Sequence, residues 1–204
     1  MQTLKPEILK GIQEAALEEF FQKGFQNSSL RRIAAAAGTT AGNLYRYFPD
    51  KLKLFSSLID PAYYELNRFS REHYGAHDDL RLDELPSLIE NQVEDFSVII
   101  ANYRKEIYIL FKKSSGTPYY GKSRAYMKEM AEHALEHFSD MNLPGLKSSL
   151  HTHLVDAMVK AYLEGWLHLV SIPMSRDDIK SLTGNYIKMY LLGPLSVIKE
   201  TIKT

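Results

Sequence analysis

The stretch SSLRRIAAAAGTTAGNLYRYFPDKLK, residues 28–53, decides how this chain is read. Its local signals predict two short helices around a tight turn, then the start of a third. Ser28 and Ser29 offer side-chain oxygens to cap the first helix. Leu30, Ile33, Ala34 and Ala37 recur at helical spacing and give that helix one apolar face. Gly38 suits the left-handed backbone that ends a helix. Thr39 and Thr40 can cap the second helix, AGNLYRYF, and Pro49 and Asp50 stop it, with Asp50 able to cap the next from Lys51. Helix, glycine turn, helix is the arrangement that sets a second helix into a DNA major groove.

Two short helices around a glycine also occur in helical proteins that never meet DNA, so the pattern needs support from charge. Between Lys23 and Lys53, six basic residues (Lys23, Arg31, Arg32, Arg46, Lys51, Lys53) stand against one acid, Asp50, in a chain whose 25 basic and 25 acidic residues cancel. A locally basic segment in a neutral protein fits a footprint for phosphate and excludes a general nucleic-acid coat. Ala41 and Gly42 open the second helix with small residues that let its backbone come close to another surface. Tyr45, Arg46 and Tyr47 follow, with polar tips suited to phosphates or base edges.

On these residues the segment resembles the DNA-binding domain of the tetracycline-repressor (TetR) family of bacterial regulators. The likeness starts at ILKGIQEAALEEFFQKGF (8–25), which is similar to that family's first helix with its Gly-aromatic ending. It continues through LRRIAAAAG and T-x-G-N-L-Y-R-Y-F to the D-K-L-K-L-F opening of a fourth helix, roughly the first quarter of the chain. Thr39 stands where an apolar turn residue is usual, Ala41 where Lys is common, Asn43 where Thr or Ser is usual, and Leu52 where Glu is usual. These departures bear on the operator sequence and leave the DNA-binding role in place.

The 204 residues are enough for one large or two small domains with a substantial core. No run of about 18 apolar residues is present, so no membrane span is expected. The first helix is amphipathic and has no apolar signal core. Absence of cysteine excludes disulfides, thiolate metal sites and cysteine nucleophiles. These features suit a soluble, cytoplasmic protein.

Read in order, the first helix is expected from Pro6 to Lys23, with Ile8, Ile12, Ala15, Ala16 and Phe20 as its stripe and Gly24 as its end. In the fourth helix, from Lys51, Pro61 predicts a kink or a break. Residues 75–83 read as a loop, with Asp83 capping a helix through about Tyr103. A short helix at Arg104–Lys113, a break at 114–121, and a helix from about Lys122 to Phe138 follow, closed by NLPG at 142–145. Leu150, Leu154, Val155, Met158, Val159, Tyr162, Trp166, Leu169 and Val170 form the most periodic segment, ended by Pro173. The last helix starts near Ser175, and Pro194 should kink or end it. There is no alternating strand pattern.

The predicted fold class is therefore all-α: an N-terminal three-helix helix-turn-helix domain (1–50) plus a C-terminal helical ligand-binding and dimerisation domain (51–204). Leu191, Leu192 and Leu195 lie around the last helix on more than one side, so it is buried, either in its own molecule or against a second copy. The resemblance implies the second: a homodimer through about 150–198, with two recognition helices about 34–36 Å apart on near-palindromic double-stranded DNA. Its implied contacts are Thr40, Gly42, Asn43 and Tyr45 at the major groove, with Ser29, Arg31, Tyr47 and Lys51 on phosphates. Asn43 could pair with adenine. Leu44 and Phe48 belong to the small domain's core.

The resemblance also implies a small-molecule effector pocket. The candidates to line it are Phe96, Tyr103, Tyr108, Phe111, Tyr126, Met130, Met158, Tyr162 and Trp166, although such residues at helical spacing are also ordinary core. The effector expected is mainly apolar or aromatic. His73/His77 and His133/His137 sit four apart, a spacing that can hold a metal, but no HExxH motif accompanies them, and neither a metal nor a cofactor is expected. No nucleophile motif such as G-x-S-x-G occurs, so the chain is not read as an enzyme. The rival reading is an all-α ligand carrier or metal-dependent enzyme with an incidental helix-turn-helix.

Overall fold

The computed structural model describes residues 5–74, 85–139 and 148–202. They form α1 (Pro6–Asn27), α2 (Leu30–Ala36), α3 (Ala41–Tyr47), α4 (Lys51–Tyr74), α5 (Leu85–Tyr108), α6 (Pro118–Ser139), α7 (Ser148–Ser171) and α8 (Arg176–Ile202). A π-helical turn, Ile109–Lys113, follows α5. No strand occurs among the described residues, in agreement with the all-α reading. Asp83, the loop at 75–83 and the NLPG segment lie outside the described residues, as do the side chains of Leu191, Leu192 and Leu195.

The chain divides into two compact units, Met1–Leu66 with Tyr103–Arg124, and Asn67–Asn102 with Ala125–Thr204. The first unit is built on α1. Ile12, Ala16 and Phe20, four residues apart, are fully buried on one face, alongside Ile33, Leu44, Leu54, Phe55, Ile107, Ile109 and Leu110. Phe55 meets the edges of Phe20 and Phe25 at 5.0 and 5.2 Å between ring centres, the geometry the ring quadrupole favours. Gly24 breaks α1 with φ 72°, as expected, and a Cβ there would lie 3.4 Å from the carbonyl oxygen of Lys113. Positive φ and close approach of the π-helical turn both select glycine. Helix α5 loses regular geometry at Tyr103, where the sequence reading ended a helix.

Two expectations based on proline and on loop composition need correction. Helix α4 runs through Pro61 to Tyr74 without a break, although proline cannot donate to the Ser57 carbonyl. Leu54, Phe55, Ile59, Ala62 and Leu66 are fully buried on both sides of it, so packing outweighs one lost hydrogen bond. The helix is also pinned there. The Tyr119 hydroxyl donates to the Asp60 carboxylate, and Lys122 lies 5.0 and 4.8 Å from the Tyr63 and Tyr119 ring centres. Burial, with Asp60 adding to it, pushes the Tyr119 phenol up to about 12. The break expected at 114–121 closes early: Thr117 accepts the Tyr119 N–H at 3.1 Å, and Pro118 begins α6 at the position where a missing N–H costs nothing.

In the second unit, Phe96 lies between Phe69 and Trp166, at 5.1 and 5.5 Å. Ile179, Thr183 and Ile187 form the buried face of α8 at four-residue steps. The α7–α8 pair is locked by tyrosines. Tyr186 donates to the Tyr162 carbonyl at 2.9 Å and Tyr190 to that of Met158 at 2.6 Å. The Tyr162, Tyr186 and Tyr190 rings stand 5.2–5.8 Å apart. Helix α8 continues past Pro194 to Ile202, so that proline does not end it.

Candidate nucleic-acid interface

Helices α2 and α3 meet at Gly38, whose φ of 65° makes the turn that the sequence predicted. Thr40 caps α3 by accepting the Asn43 N–H at 3.1 Å, and Thr39 accepts from the Asn43 side-chain amide at 2.8 Å. Leu44 and Phe48 are buried beneath, as expected. The outer side of α3 holds exposed Thr40, Gly42, Tyr45 and Arg46, with Tyr45 53% exposed. Nothing lies within 4 Å of where a Gly42 Cβ would be. A glycine inside an exposed helix costs about 1 kcal/mol relative to alanine, and nothing in the fold requires one here.

The residues expected on phosphates divide. Arg31 is exposed in the first turn of α2. Ser29 is half-buried at the start of α2, but neither it nor Ser28 caps by side chain: Ser28 donates to Phe25, and the Ser29 N–H is taken by Glu19 at 3.0 Å. The Tyr47 hydroxyl accepts the Lys5 N–H at 2.9 Å and so ties α3 to the start of α1. Lys51 turns inward. Its ammonium donates to the carbonyls of Phe25 at 2.7 Å, Ser28 at 3.2 Å and Gln26 at 3.5 Å, and lies 4.5 Å from the Phe25 ring centre. Burial lowers its pKa, against the pull of Glu19.

Glu19 and Arg32 complete this corner and were not picked out by sequence. Glu19 Oε1 accepts from Arg32 Nε and Nη2 at 2.8 and 2.6 Å, and Arg32 also reaches the Asn27 carbonyl at 2.7 Å. Part of the positive charge counted in this segment is therefore internal. Burial raises the Glu19 pKa, but the Arg32 and Ser29 hydrogen bonds outweigh it and hold the carboxyl below its ordinary 4.5. A carboxyl depressed on folding stabilises above the unfolded-state value and loses that contribution as pH falls through the folded value. E19Q should therefore melt below wild type at neutral pH, with the gap closing well below pH 4.5. Thermal melts across pH check this; a gap independent of pH would contradict it.

The candidate pocket residues are distributed over both units. Tyr103, Tyr108 and Phe111 belong to the unit that holds the helix-turn-helix, with Tyr108 packed on Phe21 at 5.1 Å. Phe96, Tyr126, Met130, Met158, Tyr162 and Trp166 belong to the other. There Met130 and Tyr162 pack around Val159 and Leu163, and Tyr126 accepts from the Ser70 hydroxyl at 2.8 Å. Among the described residues no cluster of His, Cys, Asp or Glu could hold a metal, with the side chains of His73, His77, His137 and His151 outside that set. No helix in the described residues is long and apolar enough to cross a membrane.

The family model described as "Bacterial regulatory proteins, tetR family" matches residues 12–58, the span of α1 to the first turns of α4. The chain is 24% identical over 199 residues to the HTH-type transcriptional regulator AcrR of Shigella flexneri, covering 92% of this chain and 91% of that protein. Over residues 12–58 the chain is thus similar to the tetR family of bacterial regulatory proteins. An uncharacterized HTH-type transcriptional regulator of Haemophilus influenzae is 29% identical over 137 residues; this chain spans 62% of its length. Solved TetR-family structures share the fold. A regulator from Streptomyces coelicolor superposes with a TM-score of 0.65 at 13% identity, over 88% of both chains. One from Rhodococcus does so at 0.57 and 18%, over 94% of this chain and 100% of that one.

Proposed function

We propose that this chain is a ligand-responsive transcriptional repressor of the TetR family that grips a near-palindromic operator as a homodimer and lets go when a small, mainly apolar or aromatic effector binds. The observation that carries the reading is the outer side of α3: a helix capped and packed from below, with a glycine that the fold does not require. Thr40, Gly42, Asn43 and Tyr45 face the major groove, and Arg31 with the Ser29 corner meets phosphate. Lys51 and Tyr47 orient the reading helix through α1. Dimerisation through about 150–198 is supported by exposed apolar side chains on α7 and α8: Leu154 at 41%, Leu182 at 38% and Met189 at 78%. Release follows only if the effector binds the DNA-incompetent arrangement better.

The test is a gel shift on DNA upstream of the protein's own gene at several salt concentrations. Each phosphate contact contributes about 0.9 to the slope of log affinity against log salt, so retention should weaken steeply with salt, and R31A should lower the slope by about that amount. G42A should melt higher than wild type, because alanine is the better helix former by about 1 kcal/mol, yet bind DNA at least about tenfold more weakly. Salt-insensitive retention, or none, would favour the ligand-carrier reading.

A further inference from the structure

We infer that Ser97 on α5 and Thr183 on α8 form a hydrogen-bonding subsite for one uncharged polar group of an aromatic guest. Both side chains are fully buried, and neither Ser97 Oγ nor Thr183 Oγ1 has a hydrogen-bond partner. Native interiors rarely leave buried hydroxyls unpaired, and alanine and valine would fill the same space without a polar atom. The two helices are close here: a Cβ on Gly184 would lie 3.3 Å from Ser97 Oγ. Phe96, one residue before Ser97 on α5, is tilted against Phe69 and Trp166 at 5.1 and 5.5 Å, so the same turn of α5 carries an aromatic cluster. The buried polar residues described in this unit are Ser70, Ser97 and Thr183, all uncharged. A charged guest would meet no compensating charge among them, whereas a phenol or alcohol would both donate to and accept from the pair.

This inference rests on the effector-sensing role proposed above, and the test separates the two. The probes are 1-naphthol, naphthalene and 1-naphthoate, which share rings and differ in carrying a hydroxyl, nothing or a carboxylate. Their affinities for the full chain are measured by calorimetry for wild type, S97A, T183V and the double variant, with thermal melts in parallel. Wild type should prefer 1-naphthol to the other two by roughly tenfold, the equivalent of one hydrogen bond. S97A and T183V should erase that preference while melting at or above wild type. Equal affinity for naphthol and naphthalene in wild type, no binding of any probe, or a preference unchanged in the variants would overturn the subsite. A gel shift decides the repressor reading by itself: DNA retention with indifferent variants sinks the subsite alone, and naphthol preference without DNA retention sinks the repressor alone.

Discussion

K51M should weaken operator binding by about tenfold or more while changing the salt slope by less than about 0.9, the amount one phosphate contact contributes. The ammonium of Lys51 has three protons, and three carbonyls at the end of α1 take them. Carbonyls at a helix terminus have no intrahelical donor and need an outside one. Methionine keeps the aliphatic stem against Phe25 but takes this donor from the Ser28 oxygen and from that of Phe25, which retains the Ser28 hydroxyl. An unsatisfied shielded carbonyl costs roughly 1–3 kcal/mol, enough to loosen the corner from which α2 and α3 are hung. The reading helix then samples wrong orientations, and affinity falls without the removal of a phosphate contact. R31A is the contrast, expected to lower the slope. Measuring both across a salt series distinguishes support from contact; a K51M slope lower by a full phosphate would return Lys51 to the DNA surface.

G165A should destabilise the chain by about 2 kcal/mol, an unusual result for glycine to alanine within a helix, where alanine normally gains up to about 1 kcal/mol. A Cβ at residue 165 would stand 2.2 Å from the Tyr186 hydroxyl oxygen and 2.9 Å from its Cζ. The tyrosine cannot swing aside cheaply. Its hydroxyl is bonded to the Tyr162 carbonyl, and its ring is stacked on that of Tyr162 at 5.7 Å. Y186F removes the nearest atom, so the double variant G165A/Y186F should recover part of the loss. Denaturant unfolding of the four proteins gives the coupling directly, and energies that simply add would show that the close approach carries no strain. The same locked pair presents Leu182 and Met189, so G165A should also weaken self-association if α7 and α8 hold the dimer together.

Much of the reading head was legible in the chain because its signals are local. Gly38 makes the turn through its own backbone freedom, Thr40 and Asp50 cap helices three residues ahead of themselves, and Leu44 and Phe48 face inward by spacing alone. Local rules failed where distant residues compete. Ser29 has the composition of a cap, yet Glu19, ten residues earlier, takes its N–H. Pro61 could end a helix, yet α4 continues through it with buried residues on both sides.

Helical periodicity and a glycine turn by themselves determined an all-α chain with a helix-turn-helix near its start, because each depends on interactions within a few residues. Tertiary structure decided which cations point out and which turn in. It drew Lys51 and Arg32 to the end of α1, where helix-end carbonyls and the Glu19 carboxylate hold them, and left Arg31 at the surface. It also buried Ser97 and Thr183 without partners, a result set by the approach of α8 to α5 and invisible to any count along the sequence.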